Sequence, residues 1–432
     1  MTRRTRLLAD LTPLRESPAF RRLWAGSTLS SVGGSLTTFA VALQVFQITG
    51  SPFAVGAIGI AQMVPLLTAG LLGGTVADAT DRRRLVLITS SALAVVSAAF
   101  AAQSFAGLQE VWLLYGLVAV QSTIQAVASP AKATFVPALL PPSQLPAGLM
   151  LNRLSFQVML TAGPALAGLI TAAPGLGLRA CYALDVLTFT GSLYAVARLP
   201  EMKPQPGAPR PGLRAAAEGV SFIGRTQVLA GAFLADLCAT VFGLPVALFP
   251  AINADRFGGN PAILGLFMAS IGVGGLLSGA LSGPALRTAR QGRAMLLAVA
   301  VWGGAFAGFA VAPWLWLTLG CLALAGAADT FTVVFRGAIV QSVTPDALRG
   351  RVLAADYVVG AGGGELGNLE AGALGSLTTP AISALTGGLI TVAAAVAIAV
   401  AMPAFARYHR PPDEEAVSLP VPEPEPAGQP GS

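Results

Sequence analysis

The sequence has few charged residues for its length. Asp, Glu, Lys and Arg make up only 11% of the 432 residues, whereas roughly a quarter is usual in soluble globular domains. A soluble fold of this size needs far more charge to cover its surface. The low charge therefore excludes a water-soluble globular protein.

Histidine and cysteine are also scarce. The single histidine, His409, lies near the polar C-terminal tail, and Cys181, Cys238 and Cys321 lie far apart in apolar segments. This distribution matches neither a disulfide framework nor the ligand spacing of a zinc site, so we expect no metal site. No Walker loop is present, and GGGELG at 362–367 lies inside an apolar segment instead of between a strand and a helix. We therefore expect no cofactor and no enzymatic activity.

The net charge of +6 does not indicate nucleic-acid binding. The basic residues lie in short segments between apolar runs, whereas a nucleic-acid binder clusters them with aromatic residues on a soluble face. The N-terminal segment is basic, is interrupted by Pro13 and Pro18, and lacks the apolar core of a cleavable signal. The charge pattern therefore indicates membrane topology, with the lipid bilayer and a small molecule as the partners and no nucleic acid.

Long apolar runs are what the sequence has in abundance, since 54% of its residues are hydrophobic. Crossing about 30 Å of hydrocarbon takes roughly 20 apolar residues in a helix. The runs and the turn signals between them predict an all-α integral membrane protein with twelve transmembrane helices. The predicted spans are 22–48, 54–77, 84–105, 111–135, 148–172, 179–197, 228–250, 262–286, 293–312, 314–338, 347–376 and 380–406.

The distribution of arginine and lysine predicts the orientation. With a cytoplasmic N-terminus, only Arg179 and Arg256 fall on the outer side. This follows the rule that cytoplasmic loops hold the excess of basic residues. We therefore expect a multi-pass protein of the cell (inner) membrane with both termini in the cytoplasm.

The chain divides into two halves at a proline-rich segment. Residues 198–214 contain five prolines and cannot form one continuous helix. GPALAG at 163–168 recurs as GNLEAG at 367–372, and Lys132 recurs as Arg336, both with an offset of 204 residues. The spacing predicts two six-helix pseudo-repeats, as in transporters built from parallel repeats. The expected units are an N-terminal segment 1–21, a first half 22–197, a cytoplasmic linker 198–227, a second half 228–406 and a disordered tail 407–432.

The loop between the second and third spans resembles the signature of the major facilitator superfamily, with Gly74, Asp78, Arg82 and Arg83. Ala79 and Asp81 depart from this signature. An acid at the position of Asp81 is frequent in the branch that contains the enterobactin exporter. SPAFRRLW, TGSPFAVG, SPAKATFVPALLP and QSVTPDALRGRV are similar to that branch too. The resemblance implies a secondary efflux transporter that works as a monomer, driven by the proton gradient as an antiporter, with a siderophore as substrate. A macrolide or multidrug pump is the alternative, and a non-transporting receptor or scaffold is a third hypothesis.

The resemblance also implies a gate. Thr344, Pro345 and Asp346 form a helix-start signal for the eleventh span. In the family fold Asp78 faces that helix start across the two halves when the cytoplasmic side is closed. The simpler alternative is that Arg82, Arg83 and Arg84 only mark the cytoplasmic side. The rule that cytoplasmic loops are rich in basic residues does not explain an acid in this loop. The presence of Asp78 therefore favours the gate.

Charged residues inside the spans are the other candidates, because an ionised carboxylate at mid-membrane costs at least about 2.5 kcal/mol. The candidates for proton coupling or for lining a cavity are Asp185, Asp236, Asp329, Asp356, Glu365 and Glu370. Lys132 and Arg336 are expected to attract an anionic substrate or to anchor helix ends. Asp329 and Arg336 lie two turns apart on one face of a span, so we expect either an ion pair, direct or bridged by another helix, or a role in binding the substrate or the proton. The glycines expected to pack helices closely are Gly70, Gly163, Gly275, Gly279 and Gly367.

Overall fold

The computed structural model describes residues 10–200, 213–286 and 288–409. Within these ranges, the side chains at 70–79, 213–216, 280–286, 346–347, 354, 357–358 and 361 fall outside the described residues. Every regular element in the described part of the chain is helical. The predicted all-helical fold is therefore confirmed.

Eight helices form the first half of the described chain. They are α1 (Thr12–Glu16), α2 (Pro18–Thr49), α3 (Pro52–Ala79), α4 (Arg82–Phe105), α5 (Val111–Ala133), α6 (Phe135–Leu139), α7 (Leu145–Ala172) and α8 (Gly177–Ala197). The later helices are α9 (Leu213–Arg225), α10 (Gln227–Phe242), α11 (Phe249–Phe257), α12 (Pro261–Leu286), α13 (Gln291–Val311), α14 (Leu315–Val343), α15 (Asp346–Leu377), α16 (Pro380–Ala401) and α17 (Pro403–Ala406). A short 3₁₀ turn, Val246–Leu248, joins α10 to α11.

Eleven segments of the described residues are long and apolar enough to cross a membrane. The twelfth predicted span is α15, which is just as long at 32 residues. It does not meet the same measure of apolarity because it contains Asp356, Glu365 and Glu370. The predicted span that does not meet this measure is thus the one that holds three of the candidate acids.

Hydroxyl caps followed by proline set the starts of three spans. Ser17 accepts a hydrogen bond from the Phe20 amide at 3.2 Å, and Thr379 accepts one from the Ile382 amide at 3.2 Å. Ser51 caps α3 in the same way. Such a cap satisfies a free amide of the first turn, and proline at the next position has the backbone angle a helix needs. Helices α2 and α3 therefore begin slightly before the predicted starts at 22 and 54.

The seventh span is broken, although the apolar run predicted one helix over 228–250. Helix α10 ends at Phe242, and the chain resumes as a helix at Phe249. Pro245 has no N–H to donate to the carbonyl of Val241, so the helical ladder stops there. Near this break, the carbonyl of Ala239 accepts from both the Gly243 amide at 2.9 Å and the Trp302 indole at 3.2 Å. Hydrophobicity alone gave no sign of this break.

Two further segments differ from the predicted boundaries. Helix α16 ends at Ala401, and Pro403 begins the separate short helix α17, so the twelfth span is shorter than 380–406. Inside the expected linker, α9 packs on the start of α15, where Glu218 pairs with Arg351. The prolines within 198–214 exclude one continuous helix there, but they do not predict α9. The tail prediction lies mostly outside the described residues.

The halves meet through two pairs of helices, α3 with α15 and α7 with α12. Gly168 and Gly265 lie face to face, since a Cβ atom on Gly168 would come within 2.9 Å of the Gly265 Cα. A Cβ atom on Gly56 would likewise come within 2.5 Å of the carbonyl oxygen of Asn368. Such approaches need residues without a side chain. Both lie at the end of the bundle opposite the start of α2, and we call this the distal end.

Aromatic residues fill the core and mark the distal end. Phe100 stacks on Tyr182 in the first half, with ring centroids 5.7 Å apart, and both are fully buried. Trp112, Trp314 and Trp316 are instead exposed, at the starts of α5 and α14. Tryptophan is enriched where a membrane meets water. The exposed tryptophans therefore indicate the level of the membrane surface at the distal end.

Candidate functional site

A cavity of about 620 Å³ lies in the first half of the bundle. Its walls come mainly from α2, α5, α7 and α8, with further residues from α3, α4 and α6. The cavity reaches from mid-bundle to the end where α2 begins, which we call the terminal end. Most of its polar lining consists of hydroxyls and amides. These are Ser27, Thr28, Ser30, Ser31, Ser35, Thr38, Gln62, Gln121, Ser122, Gln125, Asn152, Ser155 and Ser192.

Lys132 is the charged residue in the described lining of this cavity. It lies in the last turn of α5, just before the chain bends into α6. Its side chain is exposed to the cavity. Of the two expected roles, attracting an anion or anchoring a helix end, this location suits the first.

Aromatic and hydroxyl side chains shape the cavity near the terminal end. Trp24 donates its indole N–H to the carbonyl of Leu151 at 3.1 Å, which ties α2 to α7. The hydroxyls of Thr28 and Ser155 join the same helices at 2.7 Å. Phe156 lines the cavity, and the Arg153 guanidinium lies 5.7 Å from the centre of its ring. The wall thus combines flat apolar faces with hydrogen-bonding groups.

The second half contains a buried cluster of charges. Arg336 of α14 pairs with Asp236 of α10, and its Nε lies 3.0 Å from Oδ1 of Asp356 of α15. The side chains of Arg336 and Asp236 are only 10% and 5% exposed. We call these three residues the acid–arginine cluster. It joins three helices and places two carboxylates around one cation.

The ion pair considered for Asp329 and Arg336 is not a direct one. No direct bridge joins them in the described structure, because Arg336 reaches the acids of the neighbouring helices instead. Asp329 lies within electrostatic range of Asp236 and Arg336, and also of Arg153 from the first half. The periodicity of one helix could not show which neighbouring helix supplies the nearer acid.

Arg153 is a candidate that the sequence argument counted only as a topological marker. It lies on α7 between the cavity residues Asn152 and Ser155 and is exposed. Its position two turns inside the helix was the available signal, because an arginine that only marks the membrane surface belongs at a helix end.

Asp185 lies away from the cavity. It is fully buried between α2, α4 and α8, where the hydroxyls of Thr37 and Ser97 both donate to its Oδ2. Oδ1 makes no hydrogen bond to any described residue. No described cation pairs with this acid, which contrasts with the acid–arginine cluster. The position of Asp185 therefore does not suggest the expected role in lining the cavity.

Glu365 lies where α15 contacts α3. A Cβ atom on Gly59 would come within 3.0 Å of its Oε2, so the carboxyl group touches the opposite half. Asn368, one turn further, accepts a hydrogen bond from the Ala247 amide at 3.2 Å, next to the break in the seventh span. Glu370 is half-buried on the same helix. None of the three lines the first-half cavity.

The predicted gating loop is described only in part. Asp81 caps α4 by accepting from the Arg84 amide at 2.8 Å, and Arg83 donates to the Ala197 carbonyl at 2.6 Å at the end of α8. Both contacts suit the dipoles of the helix ends. Arg82 is half-buried in the first turn of α4. Gly70, Gly74 and the Asp78 side chain lie outside the described residues, so the gate itself stays a prediction.

The helix-start signal of the eleventh span was wrong in detail. Helix α15 begins at Asp346 with Pro345 in the cap position, and Thr344 makes no capping bond. Its hydroxyl is buried and has no hydrogen-bond partner among the described residues. Thr344 ends α14 instead, through its amide bond to the Val340 carbonyl at 3.1 Å.

The glycines expected to pack helices differ in their surroundings. Gly163 packs on Ser35 of α2, and Gly367 packs on the carbonyls of Thr240 and Val241 beside the break in the seventh span. A Cβ atom on Gly275 would lie 3.1 Å from the hydroxyl oxygen of Thr330. A Cβ atom on Gly279, by contrast, would meet no described atom within 4 Å. A close approach is therefore not found at Gly279.

The described residues contain no group of three or more His, Cys, Asp or Glu side chains that could hold a metal ion. The chemistry available to the cavity is hydrogen bonding, aromatic contact and the charge of Lys132. The acid–arginine cluster offers two carboxylates held around one guanidinium.

Comparison with known proteins places these features in a family. A sequence profile of the family described as transmembrane secretion effector matches residues 8–425. The chain is 24% identical over 412 residues to the enterobactin exporter EntS of Shigella boydii serotype 18, covering 95% of this chain and 98% of the exporter. EntS of Escherichia fergusonii gives the same identity and the same coverage.

Solved structures show the same fold. The nucleoside transporter NupG (D323A mutant) superposes with a TM-score of 0.70 at 15% identity, covering 90% of this chain and 99% of that one. A bacterial homologue of the iron transporter ferroportin, in an inward-facing state, gives a TM-score of 0.65 at 17% identity and covers 90% and 98%. The major facilitator fold expected from the sequence is confirmed.

Proposed function

Since this chain belongs to the transmembrane secretion effector family of major facilitator transporters, we propose that it exports a siderophore of the enterobactin type in exchange for protons. The chain is a multi-pass membrane transporter whose relatives are exporters. The observation that carries the substrate proposal is the cavity, with its hydroxyls, amides and aromatic rings around one lysine.

The chemistry of the cavity suits a catecholate. Catechol oxygens exchange hydrogen bonds with hydroxyl and amide side chains such as Ser31 and Gln125. Flat aromatic rings pack on Trp24 and Phe156, and aromatic pairs contribute about 0.5–1.5 kcal/mol beyond the burial of area. Lys132 offsets the negative charge of the ligand. The substrate is thus held by polar groups and stacking instead of by a dense set of charges.

Alternating access accounts for the asymmetry of the bundle. The halves are in contact at the distal end through Gly56 and Gly168, and the cavity reaches the terminal end. Rocking of the two halves about a midplane site exposes such a cavity to each side in turn. With both termini in the cytoplasm, as the basic residues favour, this conformation receives substrate from the cytoplasm. The protein then works as a monomer in the cell membrane.

Proton coupling is assigned to the acid–arginine cluster. Protonation of Asp236 removes part of the attraction that holds Arg336 between α10 and α15. Asp329 and Arg153 extend this effect to the wall of the cavity. Each charge that moves across 100 mV contributes about 2.3 kcal/mol. The cluster therefore offers protons a means of shifting the balance between two arrangements of the halves.

A macrolide or another apolar drug is the second candidate substrate. Its support is the aromatic part of the cavity lining, which includes Phe20, Phe135 and Phe189 and faces a single cation. A large neutral ligand binds mainly through apolar contacts and needs no charged partner beyond Lys132. The two candidates differ in their dependence on Lys132.

The proposal is tested by uptake into inverted membrane vesicles under an imposed proton gradient, with a catecholate siderophore and a macrolide assayed in parallel. We expect siderophore uptake that collapses with the gradient. Lys132→Gln should lower it about tenfold, the effect of losing about 1.4 kcal/mol, and Lys132→Arg should retain it. Uptake of the macrolide alone, with no effect of Lys132→Gln, would instead establish the second candidate.

A further inference from the structure

A groove on the outside of the second half lies between α13 and α16, away from the transport cavity. It has a volume of about 560 Å³ and ends against the short helix α17. Its lining includes Arg293 of α13 and Arg407, the residue after α17. We call this surface the α13/α16 groove. Transport as described above makes no use of it.

A break in the chain creates the groove. Helix α16 ends before Pro403, which cannot continue the hydrogen-bond ladder, and α17 turns beneath the start of α13. Phe405 anchors this turn, because it is fully buried against Gly231 of α10 and its carbonyl lies on Gly292. The turn places Arg407 beside the start of α13. The groove is therefore a fixed feature of the packing.

The walls of the groove are apolar and face outward. Leu297 is 66% exposed and Val400 is 78% exposed, although both lie within membrane-spanning helices. Ala300 and Ala399 leave room between the two helices because their side chains are short. In a membrane, such a surface contacts the acyl chains of lipids. A single chain fits along it better than a polar solute does.

The charges gather at one end of the groove. Arg293 and Arg407 are both exposed and lie at the terminal end of the bundle, where the other basic residues are. Neither forms an ion pair with any described residue, and no acid lines the groove. Arg83, near the corresponding place in the first half, instead donates to the carbonyl of Ala197. The two arginines of the second half are thus available to an anion.

We propose that the α13/α16 groove binds an anionic phospholipid, with its phosphate between Arg293 and Arg407 and an acyl chain along Leu297 and Val400. Basic pockets between transmembrane helices on the cytoplasmic side are suited to acidic headgroups. The combination of paired arginines with an apolar channel into the hydrocarbon layer distinguishes a lipid from a free phosphate. This inference depends on the membrane orientation and is independent of the transported substrate.

Native mass spectrometry of the full-length protein in detergent tests the proposal, with phosphatidylglycerol or phosphatidylcholine added. We expect retained phosphatidylglycerol in the wild type and little phosphatidylcholine. The double variant Arg293→Gln/Arg407→Gln should weaken binding by about thirtyfold, the effect of losing two basic residues near a headgroup. Ala399→Phe, which fills the channel but keeps both charges, should weaken it as well. The matched control, Arg21→Gln/Arg22→Gln at the start of α2, should bind like the wild type.

Three results would overturn the proposal. One is equal retention of phosphatidylglycerol by the wild type and by the double variant at Arg293 and Arg407. Another is displacement of the lipid by inorganic phosphate at the same concentration, which would show a site for a free anion. The third is binding only after truncation behind His409, which would show that the acidic tail segment at 413–415 occupies the groove.

Discussion

Individual acids in the spans differ in what surrounds them, and this separates their roles. Asp185 is buried among hydroxyl donors with no described cation beside it, whereas Asp236 is buried against Arg336. A lone buried carboxylate is costly when ionised and acceptable when it carries a proton permanently. Asp185 then links α2, α4 and α8 by accepting hydrogen bonds from Thr37 and Ser97. The acid–arginine cluster is where our proposal has a proton change the balance of charges.

Substitution of Asp185 tests this distinction. Asp185→Asn keeps an acceptor for Thr37 and Ser97, so we expect nearly normal stability and transport. Asp185→Leu leaves both hydroxyls without their acceptor, at a cost of about 1–3 kcal/mol each, and should lower the melting temperature. Thermal unfolding in detergent and vesicle uptake measure both effects. A stable Asp185→Asn protein without transport would instead make Asp185 the proton carrier.

At the scale of elements, the broken seventh span and the glycine-rich part of α15 form one unit. Gly363 and Gly367 of α15 lie against Thr240, just before the break, and Asn368 accepts from the Ala247 amide just after it. Glu365 extends from the same stretch of α15 to Gly59 of the other half. The break leaves backbone groups without partners in the helix, and the glycines of α15 pack directly against this stretch. Movement of either helix therefore requires movement of the other.

Gly367→Ala is the substitution that tests this contact. A Cβ atom there would strike the carbonyl oxygens of Thr240 and Val241, so α15 has to shift. We expect a loss of about 1–3 kcal/mol, which is typical of overpacking, seen as a lower melting temperature in detergent. The control is Gly337→Ala in α14, where a Cβ atom meets no described atom within 4 Å. That variant should be neutral or slightly stabilising, because alanine favours helices. Equal melting temperatures for the two variants would contradict the contact.

The sequence predicted whole helices better than their interruptions. Apolar length found α2 and α3 because it is a local property of the chain, but it missed the Ser–Pro starts that place their first residues before 22 and 54. The break at Pro245 was missed because a strongly apolar run surrounds it. The partners of Arg336 were missed as well, because Asp236 and Asp356 lie 100 residues before it and 20 residues after it in sequence. Contacts between helices depend on packing that no single segment encodes.

At the scale of the whole molecule, the two halves share a fold but not a chemistry. The first half supplies a cavity of hydroxyls, amides and aromatic rings with Lys132, and the second half supplies the acid–arginine cluster. The repeat predicted the architecture, and it paired Lys132 with Arg336 as equivalent positions. In the structure one of them faces a cavity and the other is buried between acids. The central claim is that the first half binds the substrate while the second half binds the proton.

The most direct test measures both fluxes at once. Purified protein is reconstituted into liposomes that contain a pH-sensitive dye, and catecholate flux and proton flux are recorded together. We expect protons to move opposite to the siderophore. We also expect Asp236→Asn, which removes a titrating group of the cluster, to bind the siderophore normally but to move no protons. Siderophore flux without proton movement in the wild type, or normal proton flux in Asp236→Asn, would contradict this division of roles between the halves.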